Sequence, residues 1–461
     1  MYVRTSIQQI IKTKINYNIA FIYIILCLHG INLFLIYYTY VIINIYTYNN
    51  IFIMSIWATV PTAPPNAIFN LNTLYNNDSD TRKLNLGVGA YRDSEGSPYV
   101  FEVVKQAEKA LYDGLQAAEL NKEYLPIRGD DNFAQCAKEL LYGSDSIAIK
   151  ENRIGSVQSI SGTGALRLAG EFLSKWGGKP TVYLSNPTWG NHATIFKGAG
   201  LNVETYNYYD PSTLGVNFKN MVASLQSAPA GSVICLHMCC HNPTGADLGQ
   251  DEWKQLADFM EAKKLIPMFD CAYQGFATGD VDVDAFPIRH FVSRGFECIS
   301  CQSFSKNMGL YNERAGLVSY CTKDSNSATA AKSQLEIIVR HMYSNPPAHG
   351  AWIAGHVLSK LGSEWRTELA AVTGRIIAMR EALQKELIKI GTPGSWDHIT
   401  KQQGMFCFSG LNKDQSEAMI NQHHIYMLSN GRINCAALKP GDIEYLAACI
   451  KNVLVTKGSS L

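Results

Sequence analysis

Five short clusters in this chain combine residue types that could do chemistry together. Four of them each follow a short apolar run. Asn186-Pro187-Thr188-Trp189-Gly190-Asn191-His192 comes after residues 181–184, and His241-Asn242-Pro243-Thr244-Gly245 after 233–238. Asp270, with Ala272-Tyr273-Gln274-Gly275, closes 265–269, and Ser303-Phe304-Ser305-Lys306-Asn307 closes 298–302, with Arg314 eight residues beyond Lys306. The fifth, Ser161-Gly162-Thr163-Gly164-Ala165, opens a helical pattern. A lysine set among apolar strand residues is desolvated, which lowers its pKa toward Schiff-base chemistry. A carboxylate that ends an apolar strand is costly to bury unless it meets a cation, and a protonated pyridine nitrogen is such a partner. A Gly-Thr-Gly helix start offers backbone N–H groups and a positive dipole to a phosphate. Ser303 could add a hydroxyl, Arg314 a bidentate fork, and Trp189 a face for a flat ring. Together these residues describe a pocket for pyridoxal phosphate.

What must position them is a sheet. The four apolar runs read as buried strands, and helical patterns over 166–176 and 251–264 lie between them, the second opening with acids and closing with lysines as the helix dipole prefers. Strand–helix alternation over some 200 residues predicts an α/β fold with a mostly parallel, doubly wound sheet. In such sheets ligands bind beyond the carboxyl ends of the strands, where the clusters fall. Further along, Ile376, Met379, Leu383, Leu387 and Ile390 recur at helical spacing, and a glycine-punctuated tail follows Thr392-Pro393-Gly394. This change of texture near residue 375 predicts a second, smaller domain. The expected division is a leader over 1–53, an arm and the start of the small domain over 54–101, a large cofactor-binding domain over 102–373, and the small domain over 374–461.

Composition narrows the classes. The 461 residues carry 40 basic and 39 acidic side chains, so no global field for nucleic acid exists. Charged residues are only 17%, below the roughly 25% of soluble domains. The deficit is concentrated between Ile15 and Asn77, where no charge occurs, and residues 1–53 carry only Arg4, Lys12 and Lys14. Basic residues ahead of apolar runs at 19–28 and 31–46 are what a signal anchor shows. The competing reading is that this monotonous Ile, Tyr and Asn leader is translated upstream sequence and that Met54 starts the working enzyme. A Pro-rich entry segment (Pro61, Pro64, Pro65) follows and should run extended.

Several other motifs fail their own tests. Gly162-Thr163-Gly164 and Gly87-Val88-Gly89 meet arginine where a dinucleotide fingerprint needs its third glycine, and Gly177-Gly178-Lys179 lacks the upstream glycine of a P-loop. The 12 cysteines are scattered and mostly sit in apolar runs, which suits a reduced compartment. Cys298 and Cys301 form a lone pair without the second pair a zinc site needs, so no metal is expected. His237, Cys239, Cys240 and His241 look ligand-like but occupy a strand end, and are expected to pack in the core behind the site.

At this point the motifs resemble a known family. From about Trp57 to the C-terminus the chain is similar to the aspartate aminotransferases of the fold type I, pyridoxal-phosphate-dependent class. The resemblance rests on the clusters above and on Asn85-Leu86-Gly87-Val88-Gly89-Ala90-Tyr91-Arg92, Glu123-Tyr124-Leu125-Pro126-Ile127 and Ser344-Asn345-Pro346-Pro347. It implies that Lys306 holds the cofactor as a Schiff base and moves the α-proton. It implies that Asp270, backed by His192, keeps the ring nitrogen protonated, that Asn242 and Tyr273 hydrogen-bond the phenolic oxygen, and that Trp189 stacks on the ring. Ser161, Gly162, Thr163, Ser303 and Arg314 would bind the phosphate, with Tyr124 reaching in from a neighbouring subunit of a homodimer. Arg432 matches the α-carboxylate arginine, Arg340 the one that meets the side-chain carboxylate across the dimer interface, and Gly89 a backbone contact to substrate. The implied partners are amino acids and 2-oxo acids, with no nucleic acid. The implied compartment is the cytoplasm, with a mitochondrion, or a membrane reached through residues 15–46, as alternatives. A broader or aromatic aminotransferase is the rival reading, and a membrane-tethered non-catalytic relative the second.

Overall fold

The computed structural model describes residues 33–53, 55–63 and 67–457. Met54, Pro64, Pro65 and the first apolar run lie outside the described residues. The chain divides into two compact units, one up to Pro65 and one from Asn66 onward. The first contains helix α1, Leu33–Ile53, on which Tyr37, Tyr38, Ile45 and Tyr46 are exposed, followed by a turn over 55–60. Among the described residues, no helix is long and apolar enough to cross a membrane.

The second unit is built on a seven-stranded sheet. Its strands are β1 Ile154–Ile160, β2 Val182–Asn186, β3 Val203–Asn207, β4 Val233–His237, β5 Ile266–Cys271, β6 Cys298–Ser303 and β7 Ala315–Cys321. Their order across the sheet is β1-β7-β6-β5-β4-β2-β3. All pairings are parallel except those of β7, which runs antiparallel to both β1 and β6. Strands β4 and β5 are buried along almost their whole length, as expected of parallel strands covered on both faces. Helix α2, Ser161–Trp176, lies over β7 and β6, and α4, Ser325–Met342, over β1. Helix α3, Gln250–Lys263, closes on Lys264 in the left-handed conformation after an acidic first turn.

Three of the seven strands, β1, β3 and β7, escape an apolar-run reading. In β1 the polar Gln158 is buried, but its amide donates to Pro347 O at 2.7 Å and its carbonyl oxygen accepts from Asp130 N–H at 3.0 Å. Satisfied in this way, a polar residue costs little in a core.

The remainder is α+β. Helix α5, His349–Lys360, leads into α6, Gly362–Lys389, which runs unbroken through residue 375. The change of sequence texture is therefore carried inside one helix. Its buried face, including Leu369, Ile376, Leu383 and Leu387, packs on α7, Ile443–Lys457. Two short strands, β8 Phe406–Phe408 and β9 Arg432–Asn434, pair antiparallel beside them, with Phe408 opposite Arg432.

Candidate active site

Because β7 runs against its neighbours, its beginning shares an edge with the carboxyl ends of β1, β4, β5 and β6. Ser161, directly after β1, and Arg314, directly before β7, therefore meet, and the Ser161 N–H donates to Arg314 O at 3.0 Å. Ser161 Oγ lies 3.0 Å from Ser303 Oγ and 2.8 Å from Ser305 Oγ. Gly162 fits tightly here: a Cβ would come within 3.0 Å of Ser303 Cβ. The first-turn N–H groups of α2 have no intrahelical acceptor and sit at the positive end of the dipole. The Arg314 guanidinium is anchored by Tyr311 O at 2.9 Å and reaches Ser305 Oγ at 3.4 Å. Burial weakens its hold on the proton without removing its charge. This is a cup for an anion with three acceptor oxygens.

Beside the cup stands the acid–lysine pair. Asp270 is 7% exposed, and its Oδ2 lies 2.9 Å from His192 Nε2, whose Nδ1 lies 2.8 Å from Thr188 Oγ1. Burial by itself would raise the Asp270 pKa. The hydrogen bond from His192, with the charge of Lys306, outweighs it and holds the carboxyl below its ordinary value. Lys306 behaves in the opposite sense: burial pulls the ammonium pKa down, Asp270 resists, and Arg314 adds to the fall. Its Nζ stands 5.3 Å over the Tyr273 ring. Asn307, next in the chain, is tied to α6 by Trp365, whose indole N–H donates to Asn307 O at 2.8 Å. Burial raises the Tyr273 phenol, and Trp189 meets His192 edge to face at 5.3 Å.

The third part is cationic. Arg432 is 4% exposed, donates from Nη2 to Gly87 O at 2.7 Å and from Nη1 to Asn242 Oδ1 at 3.3 Å, and lies 4.0 Å above the Phe406 ring. Its Nε has no hydrogen-bond partner among the described residues. Burial brings its pKa down to about 10, so the guanidinium is charged and under-solvated at neutral pH, a state that a carboxylate relieves. Gly89 is held at this spot by Asn434, which donates to Val88 O at 2.7 Å and Ala90 O at 2.8 Å. Any side chain there would strike Phe406, 2.8 Å from an ideal Cβ.

One cleft, about 480 Å³ of empty space including its mouth, is lined by Ser161, Gly162, Thr163, Trp189, Asn242, Asp270, Tyr273, Ser303, Lys306 and Arg314. His192 stands behind Asp270, and Arg432 touches the Asn242 side of the cleft. Two predicted residues are elsewhere. Tyr124 is 82% exposed, and Arg340 projects from α4 at the surface, donating to Ser344 Oγ. Neither lines the cleft of its own chain.

The structure adds residues that the motif reading passed over. Ser305 belongs to the anion cup, and its place inside the Ser303–Asn307 cluster, beside Lys306, was the available signal. Thr188 fixes the His192 ring, and Asn434 and Phe406 shape the Gly89 side. His237 also lines the cleft, with neither ring nitrogen hydrogen-bonded among the described residues. Burial, with His241 and His192 beside it, holds its pKa well below the ordinary value, so it is neutral. His192, His237 and Asp270 have ligand atoms within 4.8 Å of one another. Both nitrogens of His192 are already engaged, however, leaving it no lone pair for a metal.

An anion cup, a buried carboxylate at the far end and a desolvated lysine between them match pyridoxal phosphate group by group. Comparison with known proteins agrees. Residues 81–450 match the family model described as aminotransferase class I and II. The protein named aspartate aminotransferase 3, chloroplastic, of Arabidopsis thaliana is 48% identical over 405 residues, covering 87% of this chain and 89% of its own length. The solved aspartate aminotransferase from Saccharomyces cerevisiae cytoplasm superposes with a TM-score of 0.84 at 40% identity, over 87% of this chain and 99% of that one. An aromatic-amino-acid aminotransferase from Burkholderia pseudomallei, covalently bound to pyridoxal phosphate, gives the same TM-score at 38% identity, over 87% of this chain and all of that one.

Proposed function

The chain belongs to the class I and II aminotransferase family, and from that membership we propose the reaction and the residue roles that follow. The protein is a pyridoxal-phosphate-dependent aspartate aminotransferase. It transfers the amino group of L-aspartate reversibly to 2-oxoglutarate, giving oxaloacetate and L-glutamate in two half-reactions. The observation that carries this reading is the desolvated Lys306 set between an anion cup and the Asp270–His192 pair, with the under-satisfied Arg432 beside it.

Ser161, Gly162, Thr163, Ser303, Ser305 and Arg314 hold the cofactor phosphate, and Asp270 holds the ring nitrogen in its protonated form. Bound in this way, the cofactor supplies an electron sink for the carbanion formed at the substrate Cα. Asn242 and Tyr273 donate to the phenolic oxygen, and Trp189 covers the ring face. Arg432 pairs with the α-carboxylate, with Gly89 contributing a backbone contact, and aligns the Cα–H bond toward Lys306. Lys306 Nζ takes that proton and holds it for return. Burial pulls its pKa down, which moves it toward the free amine that a base must be.

A dicarboxylic substrate needs a second guanidinium, and Arg340 supplies it from the other subunit of a homodimer, as Tyr124 supplies a phosphate contact. Both side chains project outward from their own chain, in keeping with use by a partner. Within each subunit residues 102–373 form the large domain, 54–101 the N-terminal arm and the start of the small domain, and 374–461 the rest of the small domain. The cytoplasm is the assigned compartment, although the relatives include a chloroplast form.

A rival reading, broad or aromatic specificity, draws on the equal superposition with the Burkholderia aromatic enzyme. The test is oxo-acid production from aspartate and from phenylalanine with 2-oxoglutarate. Aspartate is expected to dominate. Equal turnover of the two would sink the aspartate assignment.

A further inference from the structure

Two buried acids that touch neither substrate nor cofactor each grip one of the loops that bear the phenolic-oxygen donors. Asp284, 4% exposed at the end of the short helix Val281–Asp284, accepts four hydrogen bonds from the loop after Tyr273. Gly275 N–H and Ala277 N–H donate to Oδ2 at 2.7 and 3.0 Å, and Thr278 donates to Oδ1 from N–H at 3.2 Å and from Oγ at 2.7 Å. Asp247 does the same for the loop that carries Asn242: Cys240 N–H donates to Oδ2 at 2.6 Å and His241 N–H to Oδ1 at 2.8 Å. Cys239 joins the two grips, its thiol 4.0 Å from Asp284 Oδ2.

Each of these six contacts is a donor from the loop. A carboxyl group can accept them all, whereas an amide would set an NH2 against at least one N–H. The loops have little other freedom. Gly275, at φ +95°, sits where a Cβ would come within 2.3 Å of Leu369, and its carbonyl accepts from Thr373 Oγ at 2.7 Å.

We infer that Asp284 and Asp247 are positioning residues for cofactor tuning, fixing the height of Tyr273 and Asn242 over the cofactor's phenolic oxygen. The inference rests on the reading that these two side chains donate to that oxygen. Removing a grip lets the donor retreat. The chromophore of the bound cofactor then loses hydrogen bonding to its unprotonated form, and its pKa rises.

The experiment is an absorbance titration of the purified holoenzyme carrying Asp284→Asn, Asp247→Asn or Thr278→Val, with Tyr273→Phe and Asn242→Ala as references. Kinetics with aspartate are measured on the same preparations. Both Asp→Asn variants are expected to raise the chromophore pKa in the same direction as the references. Their kcat/KM should fall about tenfold to a hundredfold, the range for a donor misplaced by about 1 Å. Thr278→Val keeps the side-chain shape but removes the hydroxyl's bond to Asp284 and its contacts with Asp280 O and N–H, gives a smaller rise in the same direction, and serves if Asp284→Asn does not fold. If the references shift the titration while the folded Asp→Asn variants, or Thr278→Val in their stead, titrate as wild type, the positioning role is wrong. If the references themselves titrate as wild type, the reading of the phenolic-oxygen contacts is wrong, and the inference goes with it.

Discussion

The cofactor cup and the substrate rim of this one cleft are built on opposite plans. In the cup the anion-binding and acidic groups are braced by their own chain: Ser161 by Ser303 and Ser305, Asp270 by His192, His192 by Thr188. At the rim, Arg432 is buried and braced, whereas Arg340 and Tyr124 lie at the surface. The difference teaches where precision is placed. The group that every half-reaction shares is held by braced side chains, while the contact proposed to choose among substrates is left to long, exposed side chains.

The contrast is sharpest at Lys306. Lys306→Ala is expected to cut transamination by about 10⁴-fold or more, with either substrate and at any enzyme concentration, measured in single-turnover assays. A loss confined to one substrate would break the distinction between cup and rim. Next comes Asp270→Asn, with an expected fall of about 10³-fold in kcat and little change in KM. It keeps the shape but removes the charge proposed to keep the ring nitrogen protonated.

At the rim, Arg340→Leu should lower kcat/KM for aspartate about a hundredfold, the cost of an unmade bond to a charged group, and leave phenylalanine unchanged or improved. An equal loss for both amino acids would place Arg340 with the cup. Smaller still, Tyr124→Phe should weaken cofactor retention about tenfold, read by gel filtration and residual absorbance. Mixing it with an Arg314→Leu variant should alter retention only if subunits exchange.

The smallest effect concerns stability. The folded pKa of Lys306 lies below its unfolded value, so the unfolded chain binds more protons and the cofactor-free enzyme gains stability as pH rises toward the ordinary lysine value of 10.5. Lys306→Met should raise the Tm of the cofactor-free enzyme at pH 7 by a few degrees and flatten its rise toward pH 10. An unchanged pH slope would show that Lys306 is solvated in the empty cleft.

How much of this was legible in the sequence follows from where each signal lies. Strands β4, β5 and β6 are covered on both faces, so their residues form unbroken apolar runs, and the residues just after them could be collected without a structure. Strand β3 is largely exposed and β1 carries buried serines and Gln158, so neither shows such a run. In β7, Gly316 is demanded by the backbone of Ser161, which would lie 2.6 Å from a Cβ, a constraint with no local signature. The same holds for Arg432, whose principal acceptor, Gly87, is 345 residues away. The residue type announced a charge, while only the fold reveals that the charge is half-satisfied. Ser305 was the nearest miss, because it stands in the turn just past the strand end, inside the Ser303–Asn307 cluster and next to Lys306.

The antiparallel entry of β7 has a consequence for how the molecule comes into being. It places the two rims of the anion cup 142 residues apart in sequence, Ser161 against Ser303, with Arg314 later still. Such a contact has a high loop-closure cost and forms late. During synthesis α2 emerges long before the strand that completes its anion site, and β7 must then be inserted between β1 and β6, both already made. A growing chain therefore offers the cofactor no finished site until about two-thirds of it has left the ribosome, and a cofactor that binds only the finished site stabilises the folded enzyme by mass action.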